Sequence, residues 1–191
     1  ELIFLNPEKY TTLKKIKALF SWVEYSPDGD KILLGDGKQL YLMDTKSGKV
    51  LTGRKEGWEP GLIRKWSANG KYVVSNFSDD TIRVLKASDL SVAASIFSRT
   101  YGVNDLVFSP DSKQLVIAGK SLIFLDIVTN TQIGEIKDED EEIYEAYDFK
   151  KVCFSKDGKR ILSCRSFKIK CWDLETKELL FSASHENSVR S

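Results

Sequence analysis

Short apolar runs alternate with turn-forming residues along the chain, and residues 66–86 give the clearest example. The first run, residues 71–75, follows Ala68-Asn69-Gly70, and the second, residues 81–85, follows Ser78-Asp79-Asp80. Runs of about five residues rich in Val, Ile, Thr and aromatics, set between Gly, Asn, Asp and Ser, are typical of β-strands joined by tight turns. The pattern therefore predicts two antiparallel strands here.

This unit is repeated along the sequence. An aromatic residue followed by serine and a turn occurs four times, with the serines 41, 42 and 46 residues apart; they are Ser26, Ser67, Ser109 and Ser155. An alternating apolar run ends 17 to 19 residues after each serine, at Asp44, Lys86, Asp126 and Asp173. Two landmarks that keep one register four times indicate a repeat protein.

The repeat resembles the WD-repeat β-propeller family, whose period is about 40 to 45 residues and whose third strand ends in Trp-Asp. Only Trp172-Asp173 is the literal dipeptide, so the sequence is similar to a divergent member. Asp79 matches the family's aspartate between the second and third strands. The histidine that normally precedes the innermost strand is missing from the first four repeats.

The resemblance implies an all-β fold, a β-propeller with about four four-stranded antiparallel blades and a partial blade before them. Residues 2–6 match residues 122–126 in pattern, which suggests that the chain begins at the third strand of a blade and is a segment of a larger propeller. The expected divisions are 1–18 for the third and fourth strands of a preceding blade, 19–60 for the first blade, 61–101 for the second, 102–148 for the third with an acidic linker, 149–184 for the fourth, and 185–191 for the start of another.

Composition excludes several classes of function. The 29 basic and 28 acidic residues give a net charge of +1, so no global field attracts nucleic acid or an anionic membrane. No apolar run approaches the roughly 20 residues that span a bilayer, and no signal peptide opens the chain. We expect a soluble protein of the cytoplasm.

The residues of common active sites are scarce. The one histidine, His185, resembles the family's structural histidine, and without another base a Ser-His-Asp or Cys-His unit has no support. No Gly-rich phosphate loop is present. Asp79, Asp80 and Asp111 lie where turns need side-chain acceptors. We expect no catalysis and no cofactor.

Three cysteines, Cys153, Cys164 and Cys171, fall on the first three predicted strands of the fourth repeat. As neighbours in one sheet they could form a thiolate metal site, but their spacing matches no paired zinc motif. The alternative is that they are small buried apolar residues, as free cysteines usually are. We expect the second, and hence no metal.

An acidic linker, residues 137–148, enlarges the third repeat interval. Insertions in repeat proteins map to loops on one face, often the binding face. Its acids could steer a basic peptide and its tyrosines could add contact area and cation–π interactions, although such charge runs are also found as solvated loops. The candidate binding residues here are Glu139, Glu141, Glu142, Tyr144 and Tyr147.

The linkers of the other blades are expected to open onto the same face, called the linker face below. The candidates in them are Arg54, Lys55, Trp58, Arg99 and Tyr101. A tryptophan beside arginine has the composition of interface hot spots, although Trp58 could instead cover the edge of its own blade. Phosphate or nucleic-acid binding by the basic residues would be opposed by the acidic linker.

Together these features predict a non-catalytic scaffold that binds other proteins through the linker face. Two alternatives stay open, because both depend on sequence outside the repeats. One is a ligand-sensing, autoinhibitory propeller of a signal-transducing NTPase, which an upstream phosphate-binding loop would reveal. The other is the propeller of a prolyl-peptidase-like hydrolase, which a downstream G-x-S-x-G motif would reveal.

Overall fold

The structure is a computed structural model that describes residues 2–5, 12–16, 22–36, 39–55, 60–97, 103–137, 148–165 and 168–184. Within these ranges the regular secondary structure is β-strand, and no helix there could cross a membrane. The chain divides into two compact units, Glu1–Pro60 and Gly61–Ser191, and each is described by itself.

The first unit contains a two-stranded and a four-stranded antiparallel sheet. The two-stranded sheet pairs β1 (Leu2–Leu5) with β2 (Thr12–Ile16). The first blade has the order β3 (Trp22–Tyr25), β4 (Lys31–Gly35), β5 (Gln39–Asp44) and β6 (Val50–Lys55). Its core cluster contains Ile32, Leu34 and Met43, with Tyr41 packed against it.

The second unit contains three four-stranded blades, each with its strands in chain order. The second blade comprises β7 (Pro60–Trp66), β8 (Tyr72–Phe77), β9 (Thr81–Lys86) and β10 (Val92–Phe97). The third comprises β11 (Asp105–Phe108), β12 (Gln114–Ala118), β13 (Leu122–Asp126) and β14 (Thr131–Ile136). The fourth comprises β15 (Lys151–Phe154), β16 (Arg160–Arg165), β17 (Lys168–Asp173) and β18 (Leu179–Ser184).

The prediction of four four-stranded blades and a preceding pair of strands is confirmed. The outer strand β6 continues to Lys55, into a region expected to be a linker, because an edge strand is held by backbone pairing with little burial. The innermost strands β11 and β15 begin after Val103 and Phe149, which pack into cores before their strands begin.

The second and third blades pack face to face, and such an interface between two blades is called a seam below. Successive strand residues point to opposite sides of a sheet, so each blade offers two sets of side chains. The second blade contributes Val74, Ile82, Val84 and Ala94 to the first seam, and the third contributes Leu106, Phe108, Leu115, Ile117, Leu125 and Ile127. These residues are all buried, and none of them is polar.

The opposite side of the third blade packs on the fourth in the same way. Val116, Ala118, Leu122, Phe124 and Ile136 of the third blade meet Phe149, Val152, Ile161 and Trp172 of the fourth. Counted from the repeat serines, Val74 corresponds to Val116 and Leu106 to Val152, so equivalent positions form both seams. Trp172 also donates its indole N–H to Ser163 Oγ at 2.8 Å, within the fourth blade.

The repeat serines organise the turn between the first and second strands of every blade. Ser26 Oγ donates to Asp28 Oδ1 at 2.6 Å and accepts the backbone N–H of Lys31 at 2.9 Å. Ser67 with Asn69, Ser109 with Asp111 and Ser155 with Asp157 repeat this arrangement. The turn needs a positive φ three residues after the serine, which Gly29 adopts at 73° and Ser112 at 60°.

The acidic residue at the end of the third strand organises the next turn. Asp126 Oδ1 accepts the backbone N–H groups of Val128 and Thr129, both at 2.8 Å, and Asp173 Oδ1 accepts those of Glu175 and Thr176. Asp44 Oδ1 accepts the backbone N–H and the hydroxyl of Ser47. Lys86 cannot accept hydrogen bonds through its side chain. In the second blade Asp89 supplies the carboxylate instead, by accepting from the Ser91 N–H and hydroxyl.

The residue after each of these turns also contacts the preceding blade within the second unit. Asn130, at φ 55°, accepts the backbone N–H of Ser95 in the edge strand β10 at 2.8 Å. Its counterpart Lys177, at φ 64°, holds its ammonium 3.9 Å from the ring centre of Phe124. Burial lowers the pKa of Lys177, and the charge of Asp173 partly opposes this.

We predict that Phe124→Ala destabilises the protein by about 3–5 kcal/mol, because the ring is fully buried between two blades and its loss leaves a cavity. Val128→Ala is the control, since Val128 is 76% exposed and should change stability by less than about 0.5 kcal/mol. Urea unfolding followed by circular dichroism measures both. Equal losses of stability in the two variants would contradict the burial of Phe124 between the third and fourth blades.

We also predict that stability falls as the pH drops below about 4, the unfolded pKa of aspartate. Hydrogen bonds from neighbouring serines lower the pKa of Asp28, Asp111 and Asp157, and backbone N–H groups lower that of Asp126 and Asp173. A lowered folded pKa contributes stability that is present above the unfolded pKa and is lost as pH falls through the folded pKa. Melting temperatures from pH 7 to 2 test this. In the Asp126→Asn/Asp173→Asn variant the fall should be shallower, and an unchanged slope would refute the assignment.

Candidate protein-interaction surface

The meander order gives each four-stranded blade two distinct ends. Turns between strands one and two, and between three and four, lie at one end, called the turn end. The turn between strands two and three lies at the other end, called the linker end, where the chain also leaves for the next blade. The second unit keeps these ends in line, because Asn69 N–H donates to Ser112 Oγ between two turn ends. Phe149 N–H donates to the Gly119 carbonyl at 2.7 Å between two linker ends.

The residues just before and just after the acidic linker, called its roots below, pack into one apolar core. Ile136, the last residue of β14, is 4% exposed, and Phe149, which follows the linker, is 0% exposed. Both belong to the seam between the third and fourth blades. The Arg165 guanidinium lies 4.9 Å from the ring centre of Phe149. The positions at which the linker leaves and rejoins the sheets are therefore fixed by packing.

A buried carboxylate adds a polar link at the same place. Asp105, the first residue of β11, accepts the Leu106 N–H on Oδ1 at 3.0 Å and the Val152 N–H on Oδ2 at 3.3 Å. The second bond joins the innermost strands of two neighbouring blades. Buried carboxylates need such donors, because an unpaired charge in a dry interior is costly. Asp105 thus holds the strand after the acidic linker against the third blade.

The second blade carries a half-buried ion pair between Asp79 and Arg83, at its linker end. Asp79 accepts the Thr81 N–H and hydroxyl and pairs with Arg83; both charged side chains are 14% exposed. Arg83 also lies 4.6 Å from the ring centre of Phe77. Burial alone would raise the pKa of Asp79, but the bonds from Thr81 and Arg83 outweigh it and lower the pKa. These groups serve the turn, in agreement with the structural role expected for Asp79.

The structure describes few of the predicted binding residues. Arg54 and Lys55 were expected in a linker, but they end β6, where they pair with Leu40 and Gln39 in the first unit. The continued backbone ladder explains this difference. The other candidates lie outside the described residues: Trp58, Arg99, Tyr101, Glu139, Glu141, Glu142, Tyr144 and Tyr147.

The residues that support the acidic linker were not identified from the sequence. Ile136 and Phe149 flank the acidic linker in the sequence, but their shared core depends on how two blades pack. The sequence does give one indication that Asp105 has a structural role, since it is a charged residue inside the apolar run of residues 103–108. A charge in an inner strand indicates a partner, although the sequence does not say which N–H it accepts.

Two adjoining recesses lie at the turn end, between the third and fourth blades. They measure about 400 and 180 Å³ and share Gln114, Gly158 and Leu174 in their walls. Lysines and carboxylates are mixed around them, and the carboxylates of Asp111, Asp157 and Asp173 are already hydrogen-bonded within turns. These recesses are distinct from the linker face and show no selective charge.

The three cysteines are free thiols with different exposure. Cys153 is exposed, Cys164 is half-buried and Cys171 is buried. Burial, and then the charge of Asp105, raise the pKa of Cys153, which disfavours the thiolate that a metal would need. Among the residues with described positions, no group of three His, Cys, Asp or Glu side chains could hold a metal ion.

The fold is that of a β-propeller, its repeated turns resemble those of the WD-repeat family, and comparisons with known proteins point the same way. Residues 146–173 match the family model "WD domain, G-beta repeat", and this range contains Ser163 and Trp172. The solved β-propeller domain of Myceliophteria thermophila Cps50 (Swd1) superposes with a TM-score of 0.75 over 93% of this chain and 59% of that one. At 15% identity this similarity concerns the fold alone.

A curated relative is also similar in sequence. The WD repeat domain-containing protein 83 homolog of Dictyostelium discoideum is 31% identical over 119 residues. The match covers 61% of this chain and 35% of the relative, so the chain spans about a third of that relative's length. WD-repeat propellers are typically non-catalytic platforms for protein interaction.

We predict that Asp105→Ala lowers the free energy of unfolding by about 1.5–3 kcal/mol, because two backbone donors lose a charged acceptor. Asp105→Asn keeps one carbonyl oxygen, so its free energy of unfolding should lie between those of the unaltered protein and the alanine variant. Urea unfolding measures stability, and hydrogen exchange at the Val152 amide reports the bond itself. Unchanged exchange at Val152 in the alanine variant would exclude the proposed link.

Proposed function

We propose that this chain is a non-catalytic protein-interaction scaffold that binds partners through the linker face. Within that face, the acidic linker takes a basic segment of the partner. The observation that carries the proposal is the anchoring of the linker, whose two roots, Ile136 and Phe149, share one buried core. A loop with fixed roots loses less conformational entropy on binding than one with free ends, so more of its contact energy remains as affinity.

The charge of the acidic linker supports the choice of partner. Residues 138–142 are all Asp or Glu, while the whole chain has a net charge of only +1. A local acidic segment on a nearly neutral protein attracts basic groups without repelling the rest of the partner. Tyr144 and Tyr147 would add area and cation–π contacts to arginine or lysine.

The other candidates belong to the end of β6 and to the linkers that follow the first and second blades. Trp58 and Tyr101 supply the amphipathic aromatic side chains common at interface hot spots. Arg54, Lys55 and Arg99 supply positive charge that would pair with acidic residues of a partner.

A direct test uses a fluorescein-labelled peptide that alternates Arg or Lys with Gly and Ser, together with its Glu-substituted counterpart. The basic peptide should bind and the acidic one should not, with weaker binding as salt shortens the screening length. Neutralising Glu139, Glu141 and Glu142 to Gln should weaken Kd about tenfold, or about 1.4 kcal/mol. Fluorescence anisotropy measures each Kd.

The matched control neutralises Glu175 and Glu178, two exposed acids at the turn end of the fourth blade. This variant should bind the basic peptide as the unaltered protein does. Trp58→Ala should weaken capture of a natural partner without lowering the melting temperature. If the linker variant and the control bind equally well, the acidic linker is not the site.

A further inference from the structure

Three cations lie together near the linker end of the fourth blade, on the side that faces the third blade. They are Arg165, Lys168 and Lys170, called the cation cluster below. Arg165 and Lys168 are directly paired between β16 and β17, and Lys170 lies two residues further along β17, on the same side of the sheet. Trp172 continues that side and packs on the third blade, with its ring centre 5.8 Å from the Lys170 ammonium.

The cation cluster needs negative charge from a neighbouring segment. Like charges directly opposite each other on a sheet are destabilising, as Arg165 and Lys168 are. Lys170 is only 3% exposed, and a charged group that is so deeply buried is tolerated when an anion or acceptor is paired with it. The question is which segment provides the carboxylates.

The second blade shows how a cation at this position is neutralised within one blade. Arg83 takes the place of Lys170, since each lies three residues before the last residue of its third strand. Arg83 pairs with Asp79 of the same blade, and both side chains are 14% exposed. Counted in the same way, Ser166 takes the place of Asp79 in the fourth blade. A serine carries no charge, so the fourth blade lacks the carboxylate that the second blade has at this position.

Two acids of the third blade lie beside this seam and have other partners. Asp105 accepts a backbone N–H on each of its two carboxylate oxygens. Glu135 pairs with Lys137 at 3.7 Å. Neither supplies the cluster with a carboxylate of its own.

The acidic linker starts and ends at the same seam as the cation cluster. Its roots, Ile136 and Phe149, belong to the core between the third and fourth blades. The Arg165 guanidinium lies on the ring of Phe149, 4.9 Å from its centre, so the cluster adjoins one root directly. Between the roots, residues 138–145 contain six acids, twice the number of cations in the cluster.

We propose that the acidic linker docks on the cation cluster, and that the basic segment of a partner competes with these three side chains for the linker's carboxylates. Charge complementarity and the position of both roots select this occupant. Because the acids outnumber the cations, the docked linker keeps negative charge that attracts a partner. Docking lowers the apparent affinity by the fraction of molecules in which the linker is occupied. The competition rests on the proposed function, whereas the docking itself requires no partner.

Carbodiimide cross-linking tests the docking in the unaltered protein. The reagent condenses a carboxylate with a lysine amine to an amide, with loss of water, where the two groups are in contact. We expect peptides that join residues 138–145 to Lys168. Lys156 and Lys159, exposed at the turn end of the fourth blade, are the internal controls and should not be joined to the linker. Peptide mass spectrometry identifies each product.

The competition is measured with the fluorescein-labelled basic peptide. In the Arg165→Gln/Lys168→Gln variant the linker loses two of its internal partners, so the peptide should bind about threefold to tenfold more tightly. Lys156→Gln/Lys159→Gln removes the same charge at the turn end and should leave Kd nearly unchanged. Melting temperatures show that both variants are folded.

The outcomes separate this inference from the proposed function. It is wrong if Lys168 is joined to the linker no more often than Lys156 and Lys159 are, or if the two variants bind the basic peptide equally well. Binding of the acidic peptide that is lost in the Arg165→Gln/Lys168→Gln variant would also overturn it, in favour of an acidic partner segment. A linker that is joined to Lys168 while the basic peptide binds no variant would support the docking and contradict the proposed function.

Discussion

The structure depends on the burial of sheet faces that no single blade can bury alone. Val116 and Phe124 lie on one side of the third blade, and Leu106 and Leu125 lie on the other, all with almost no exposed surface. A four-stranded sheet with two apolar sides is stable only between two neighbours. The turns, links and linkers described above are arranged around these seams.

The turns solve a separate problem, that of the backbone donors at the strand ends. Each repeat serine and the carboxylate or amide two residues later accept N–H groups that the ladder leaves unpaired. The second blade shows that the turn after the third strand needs a carboxylate acceptor, but not at one fixed position. Where Lys86 replaces the usual aspartate, Asp89 supplies a carboxylate from within the turn. Divergent repeats can therefore keep one fold while the family's marker residues change.

The separation of the packed seams from the linkers between blades explains how a protein of this fold can vary its partners. Ile136 and Phe149 hold the roots of the acidic linker in a core that does not depend on the linker's own sequence. Asp105 fixes the strand that follows. Selection can then change the length and charge of a linker at little cost to stability, because long surface insertions add little closure entropy. The segments open to such change are those that contribute least to the fold.

The sequence by itself determined the repeat, the four four-stranded blades within this chain and most strand positions. A period of about 40 residues, alternation within strands and the Ser-x-Asp turns are local patterns that follow from backbone chemistry. It also indicated which residues would form turns, as Asp79 and Asp111 do. Only the tertiary structure decided which side of each blade meets which neighbour, that Asp105 accepts an N–H 47 residues away, and that Cys153, Cys164 and Cys171 share one side of a sheet. These are contacts between segments far apart in the chain, and an alternating pattern marks two sides of a strand without saying what covers either.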